Sequence, residues 1–337
     1  MASCEAIRKN LHEEKTLVGI ISKDFLQTRE YLEKLARLCP SATFLIINHE
    51  EITSDCLKDL EILIADPPLV REWIYQLPKL KWMQATYAGV DNIIHCIEPC
   101  NVPRYSLTKL SGTLGASIAE YVMGHVIARE RKFLLCSEYQ KSKSWCPWEE
   151  MKYRVLSDLT IGILGFGSIG KVIAEYCHNM KMKVFVIHRV VPTSTFSYVD
   201  KSFGIEDLAE CLKECDYLVS ILPSAESTKG LLTGEVLENC RAKKTVFINV
   251  GRGDLLDEKS ILRALDDQWI GGAILDVFES EPLPKESALW CHPQVFITPH
   301  VSGRVNSNMV LKVFVDNFQL YKDGKELKYL VDWEKGY

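Results

Sequence analysis

The chain has 337 residues, 47% hydrophobic and 25% charged, with a formal net charge of −5. That length suits about two domains with ample core, and the composition is that of an ordinary soluble globular protein. There is no dense Lys/Arg face and no run of 18 apolar residues, which argues against nucleic acid or membrane as a partner.

The N-terminal stretch Met1–Lys15 is polar and lacks the apolar core of a secretory signal. The cysteines have no C-x-x-C spacing, so Cys39, Cys136, Cys177 and Cys240 read as reduced and structural. The expectation is a cytoplasmic protein with no metal site.

Leu17–Ile21 is an apolar strand candidate, followed by an amphipathic helix over Phe25–Leu38. Thr43–Ile47 (strand), Ile52–Leu60 (helix), Glu61–Ala65 (strand), Val70–Leu77 (helix) and Leu80–Ala85 (strand) continue the alternation. Such alternation predicts a parallel sheet covered by helices on both faces. The turn Tyr87–Asp91 then lies at the C-terminal end of a strand, where parallel sheets bind ligands. It reads either as an anion-binding loop or as a plain strand-to-helix turn. Pro103 and Ser111-Gly112 bracket a crossing point between domains. A long helix over Leu114–Leu135 carries Ile118, Val122 and Val126 on its inner stripe. The aromatic segment Gln140–Glu150, with Trp145 and Trp148, reads as a dimer arm or a connector.

Asp158–Arg189 has the most specific pattern in the chain. Thr160–Leu164 is a short β-branched run and reads as a buried strand. Gly165, Gly167 and Gly170 follow in G-x-G-x-x-G spacing, with Ser168 and Ile169 between them. A helix over Lys171–Met180 and a strand over Val184–Ile187 complete a β-α-β unit. In such a turn the first glycine allows the bend and the second admits a pyrophosphate. The third lets helix and strand pack closely. The helix N-terminus adds N–H groups and partial positive charge. This predicts a dinucleotide site; the alternative is a glycine turn that serves packing alone.

The second strand ends in His188 and Arg189, with Thr193, Ser194 and Thr195 beyond, where an NAD site usually has an acid. A cation beside hydroxyls suits a 2′-phosphate, so NADP(H) is favoured, with NAD(H) as the alternative. An idle charge on a solvated strand end is the plainer reading.

Further strands are expected at Tyr217–Leu222, Thr245–Val250, Ala273–Phe278 and Val295–Thr298. Helices are expected at Ile205–Lys213, Gly234–Cys240 and Glu258–Asp267. That makes about six parallel strands in a doubly wound fold. A last helix, Met309–Tyr321, stops at Gly324 and is placed to return to the first domain.

Arg252, Glu281 and His300 stand after the later strands, on the edge shared with the glycine turn. An Arg holds a carboxylate with paired hydrogen bonds, a His exchanges the carbonyl proton, and a carboxylate orients and charges the His. Together they suit reduction of a 2-keto acid.

With these residues in view, the chain resembles the D-isomer-specific 2-hydroxyacid dehydrogenases over nearly its whole length. Tyr87–Asp91 (YAGVD), Gly165–Gly170 (GFGSIG), Asn249–Gly253 (NVGRG), Asp276–Pro284 (DVFESEPLP) and Thr298–Gly303 (TPHVSG) are the matching segments. Within the family it looks similar to the NADPH-dependent glyoxylate/hydroxypyruvate reductases, with Val331-Asp332…Gly336-Tyr337 in support.

The resemblance implies two doubly wound parallel-sheet domains, a Rossmann cofactor domain (105–303) inserted in a flavodoxin-like substrate domain (1–104 and 304–337). A homodimer through the long helix and the Gln140–Trp148 arm is expected from the pair Trp145 and Trp148 in that irregular stretch. The resemblance makes Arg252, Glu281 and His300 catalytic, with Glu279 a solvated neighbour. It assigns Ala88, Gly89 and Val90, with Arg252 and His300, to the substrate. It assigns Gly165, Gly167, Ser168, Ile169, Gly170, His188, Arg189, Pro223, Thr228, Val250, Gly251, Arg252, Asp276, His300 and Gly303 to the cofactor. The expected reaction delivers hydride to a small 2-keto acid held between closing domains. A reductase of bulkier 2-keto acids and a nucleotide-sensing corepressor are the alternatives. Tyr87 and His188 depart from the family pattern.

Overall fold

The structure, a computed structural model, describes residues 15–23, 28–98, 101–189, 196–334 and 336. The chain divides into two compact units, Met1–Thr113 with Val305–Tyr337 and, inserted between these segments, Leu114–Arg304.

The first unit is a five-stranded parallel sheet in the order β2-β1-β3-β4-β5. Its strands are β1 (Thr16–Ile21), β2 (Ala42–Ile46), β3 (Ile62–Ala65), β4 (Trp82–Ala85) and β5 (Ser106–Thr108). Its helices are α1 (Arg29–Leu38), α2 (Ser54–Leu57), α3 (Pro67–Val70) and α4 (Asp91–Ile94). Side chains alternate across the strands with period two. Val18, Ile20, Ile62, Ile64 and Trp82 therefore pack on one face, and Ile21, Leu63, Ala65, Met83 and Ala85 on the other.

The second unit contains α5 (Gly115–Glu130), α6 (Phe133–Lys141), β6 (Thr160–Leu164), α7 (Ser168–Asn179), β7 (Lys183–His188) and β8 (Lys201–Gly204). It continues with α8 (Leu208–Glu214), β9 (Tyr217–Ser220), β10 (Val246–Asn249), α9 (Glu258–Asp266), β11 (Gly272–Leu275) and β12 (Val295–Ile297). The strands form one parallel sheet ordered β12-β11-β10-β9-β6-β7-β8. The reversal of order at β6 is the switch point at which open α/β sheets take ligands.

The C-terminal helix α10 (Ser307–Lys322) belongs to the first unit. Phe314 stacks on Trp82 with centroids 5.2 Å apart. The buried Asn317 donates to the Lys328 carbonyl (3.0 Å) and accepts from its N–H (2.8 Å). The Trp82 indole donates to Thr108 (2.7 Å), whose hydroxyl donates to Gln84 (2.9 Å). This chain of partners satisfies polar groups that burial would otherwise penalise.

Several elements differ from expectation. The first unit runs past residue 104 because Ser106–Thr108 pairs with β4, which carries the sheet across the expected boundary. The second sheet has seven strands instead of six; β8 is a polar edge strand with no apolar alternation to betray it. The helix expected over Leu114–Leu135 breaks at Lys132, which takes a left-handed φ of 53°. Its buried stripe ends at Glu130, and Phe133 and Leu134 beyond the break are exposed. Ile52–Leu60 narrows to α2. Val70–Leu77 is replaced by α3 and a 3-10 turn, Arg71–Trp73, because Pro67 and Pro68 start the helix earlier. Val236–Cys240 is also 3-10. Residues 25–27 of the first expected helix lie outside the described residues, and α1 starts at Arg29 with Thr28 as its cap.

Candidate active site

The glycine turn joins β6 to α7. Gly165 has φ +107°, a conformation that side chains resist. A Cβ on Gly170 would lie 2.1 Å from the Gly165 carbonyl oxygen, so only glycine lets α7 start this close to the turn. Gly167 differs: a Cβ there would meet nothing within 4 Å. It is the cap residue of α7 and has no side chain of its own to place over the first turn. Open space in front of a helix N-terminus fits a pyrophosphate.

His188, at the end of β7, packs edge-on against Phe166 with centroids 5.1 Å apart. Its Nε2 is buried without a hydrogen-bond partner among the described residues. Burial, and then the nearby Lys171 charge, hold its pKa below the ordinary value. His188 is therefore a neutral wall of the turn and supplies no cation there. Arg189 is exposed at the strand end. Thr193, Ser194 and Thr195 lie outside the described residues.

Pro223 and Thr228 share the loop after β9, where the Thr228 hydroxyl donates to the Pro223 carbonyl (2.7 Å). Val250, Gly251 and Arg252 follow β10. A Cβ on Gly251 would lie 2.6 Å from the Leu222 oxygen, and one on Gly253 would fall 1.9 Å from the Phe278 carbonyl carbon. The buried Asn249 braces the turn between them. It donates to the Arg252 carbonyl (2.9 Å) and accepts from the Gly251 N–H (3.2 Å).

His300 and Glu281 meet in this unit, with Nδ1 and Oε2 2.8 Å apart. The Phe278 N–H donates to the other Glu281 oxygen (3.0 Å). His300 is 50% exposed and Glu281 35%. The Glu281 hydrogen bond raises the His300 pKa above its ordinary value, against partial burial and the Arg252 charge. Burial pushes Glu281 upward, but the His300 and Phe278 hydrogen bonds and nearby cations bring it below its ordinary value. Arg252 thus acts on both groups. Glu279 is exposed.

The backbone of His300 is left-handed, with φ 53°. Its N–H donates to the Asp276 carbonyl (2.9 Å). The fully buried Asp276 carboxylate takes the N–H groups of Val301 (2.8 Å) and Ser302 (2.9 Å). Asp276, expected at the nicotinamide, is thus also the anchor of the His300 turn. Gly303 closes that turn against α5, where a Cβ would approach Ile118 to 2.9 Å.

In the first unit, Ala88, Gly89 and Val90 connect β4 to α4. The Tyr87 carbonyl, just before them, accepts from the Leu110 N–H (3.0 Å). Asp66, buried at the end of β3, accepts from Thr86 (2.5 Å), Ser22 (3.1 Å) and the Lys23 N–H (3.0 Å). It ties the ends of three strands together just ahead of the Ala88–Val90 loop. Sequence reasoning missed Asp66, whose partners lie 20 to 44 positions away, and saw Asn249 only as the first residue of the N-V-G-R-G segment, without its bracing role.

The family model described as D-isomer specific 2-hydroxyacid dehydrogenase, NAD binding domain, matches residues 123–302, more than half of the chain. The chain belongs to this family. It is therefore an NAD(P)-dependent oxidoreductase acting on CH–OH, with a Rossmann cofactor domain. A D-isomer specific 2-hydroxyacid dehydrogenase family protein from Aeromonas salmonicida is 32% identical, covering 95% of this chain and 100% of that one, with a TM-score of 0.84. A D-isomer specific 2-hydroxyacid dehydrogenase from Xanthobacter autotrophicus, in complex with NADPH and MES, is 25% identical over 96% and 100% of the two chains (TM-score 0.83). An NADPH-dependent glyoxylate/hydroxypyruvate reductase from Sinorhizobium meliloti, in complex with NADP and sulfate, is likewise 25% identical over 96% and 100% (TM-score 0.79). Among the described residues, no His/Cys/Asp/Glu group could hold a metal ion, and no helix is long and apolar enough to cross a membrane.

Proposed function

We propose that this dehydrogenase reduces small 2-keto acids, such as glyoxylate or hydroxypyruvate, to D-2-hydroxy acids, with NADPH preferred. The observation that carries the proposal is the 2.8 Å pairing of His300 with Glu281 in a site that also feels the Arg252 charge. Glu281 occupies Nδ1, so the proton that moves is on Nε2. His300 in its charged form hydrogen-bonds the keto oxygen and protonates it as negative charge develops. Arg252 is assigned to the substrate carboxylate through its planar fork, and Ala88, Gly89 and Val90 of the first unit are also assigned to substrate binding. Gly165–Gly170 would hold the pyrophosphate of the dinucleotide, with Pro223, Thr228, Val250–Arg252, Asp276 and Gly303 lining the rest of its cleft, and the bound nicotinamide would supply the hydride. Arg189 is assigned to the 2′-phosphate, a reading supported by the absence of an acid at the end of β7.

The test is turnover of glyoxylate, hydroxypyruvate and bulkier 2-keto acids with NADPH and with NADH. Strong preference for NADPH and the small acids supports the proposal; preference for bulky acids or NADH replaces that part of it. No turnover of any 2-keto acid removes it.

The proposal includes a cytoplasmic homodimer. Trp145 and Trp148 are 90% and 82% exposed, and Phe133 and Leu134 are also exposed. Large apolar side chains in such a segment suit an interface. Sedimentation at micromolar concentration should give a dimer that Trp145→Ala and Trp148→Ala weaken; a wild-type monomer ends this part of the reading.

A further inference from the structure

We infer that Tyr121, acting through Thr298, is a positioning residue for the acid/base turn. This rests on the proposed role of His300. The Thr298 hydroxyl lies 2.5 Å from Asp276 Oδ1 and donates to it. The Tyr121 and Thr298 oxygens lie 2.7 Å apart. Thr298 has one hydroxyl proton and Asp276 takes it, so Tyr121 must be the donor to Thr298. The array therefore has one polarity, from Tyr121 to Thr298 to Asp276.

Asp276 then collects Thr298 Oγ1 together with the N–H groups of Val301 and Ser302. These donors flank His300 on both sides. They hold its backbone at φ 53°, where a side chain is strained and surrounding structure must fix it. Tyr121 is placed by α5, a long helix with a buried stripe, and its ring packs on His125 at 4.4 Å. His125 in turn meets Phe296 of β12 at 4.9 Å. Burial keeps the Tyr121 hydroxyl protonated, with a pKa pushed up to about 12, so it remains a donor through the working range. His300 itself faces Glu281 from the loop after β11, Arg252 from the loop after β10 and Asp276 at the end of β11. Of these, Asp276 connects to α5 through Thr298 and Tyr121.

The experiment uses Thr298→Val, Thr298→Ser and Tyr121→Phe in the full-length chain. The readouts are thermal melting, kcat and KM, and titration of the His300 ring by NMR in cofactor-free protein, its resonance assigned by loss in His300→Gln. Thr298→Val should cut kcat by about 10–100-fold, the range for losing a hydrogen bond to a charged group. Tyr121→Phe should cost about 3–10-fold, as for a neutral pair. Keto-acid KM should change little, the His300 titration should move, and Thr298→Ser should restore most of the loss. Wild-type kcat in Thr298→Val, or Thr298→Ser as impaired as Thr298→Val, overturns the inference. Should wild type turn over no 2-keto acid, the functional proposal fails by itself. The NMR titration still decides the array: a curve that moves in Thr298→Val and returns in Thr298→Ser supports it, and an unchanged curve refutes it.

Discussion

Two glycines of one turn should fail in different ways when each becomes alanine. At Gly170 the added Cβ would lie 2.1 Å from the Gly165 carbonyl oxygen. Real contacts of this kind stay beyond about 3 Å, so turn and helix must separate by roughly 1 Å; overpacking of that kind costs about 1–3 kcal/mol. Gly165 cannot absorb the shift cheaply, because it already stands at φ +107°. A displacement of about 1 Å in a positioning element is worth up to roughly 100-fold in function. Gly170→Ala should therefore melt at lower temperature and bind NADPH far more weakly. At Gly167 a Cβ meets nothing within 4 Å, and φ is −82°, which alanine accepts. Gly167→Ala should melt like wild type and still lose NADPH affinity, because the open space is assigned to the pyrophosphate in the proposed function. Thermal melts and NADPH titrations by protein fluorescence read both quantities. A Gly167→Ala protein that binds NADPH like wild type would refute the assignment of that space to the ligand.

In the proposed mechanism reduction needs charged His300, so kcat/KM should be flat at low pH and fall as pH rises through its raised pKa. Glu281→Gln removes the main cause of that raising, and the falling limb should move to lower pH; an unmoved limb refutes the role of Glu281. Arg189→Ala should weaken NADPH binding by about 1.5–3 kcal/mol, as for a charge-assisted hydrogen bond, and leave NADH nearly unchanged in direct titrations. Arg154 bridges the buried carboxylates of Glu130 and Asp216 at 2.5 and 2.7 Å. Arg154→Met should cost about 2 kcal/mol in urea unfolding, between an exposed and a fully buried pair, because Arg154 itself is half-exposed. Burial raises Glu130, but hydrogen bonds from Arg154 and Tyr217 outweigh it and leave its pKa below 4.5. Its contribution is thus present above that ordinary value and lost as pH falls through the lowered one. The gap between wild type and Arg154→Met should close on acidification, and a constant gap would rule the carboxylate out as its source.

The parts of the fold that were legible are those in which local pattern and burial agree. Thr160–Leu164 is a fully buried strand with the bounds its apolar run suggests. Its glycine turn also occupies the expected place. Arg252, Glu281 and His300 could be grouped because strand ends in a parallel sheet share an edge, although His300 and Glu281 meet across 19 positions and Arg252 acts on both through its charge. The strands β5 and β8 were not legible: β5 is only three residues long, and β8 begins with the exposed polar pair Lys201 and Ser202. The break at Lys132 was hidden because Phe133 and Leu134 extend the apolar pattern while facing solvent. Tyr121 and Thr298 lie 177 positions apart, and no local spacing announces a partner at that distance.

The first unit's dependence on α10 has a consequence for how the chain is made. Its sheet needs Phe314 against Trp82 and Asn317 inside the strand network, yet the whole of Leu114–Arg304 is synthesised in between. At about 5–20 residues per second that interval lasts roughly 10–40 s on the ribosome. The nascent N-terminal sheet must wait through it with one apolar face uncovered, while the inserted unit has all its strands and can fold first. The face left waiting is the one around Trp82 that Phe314 later covers.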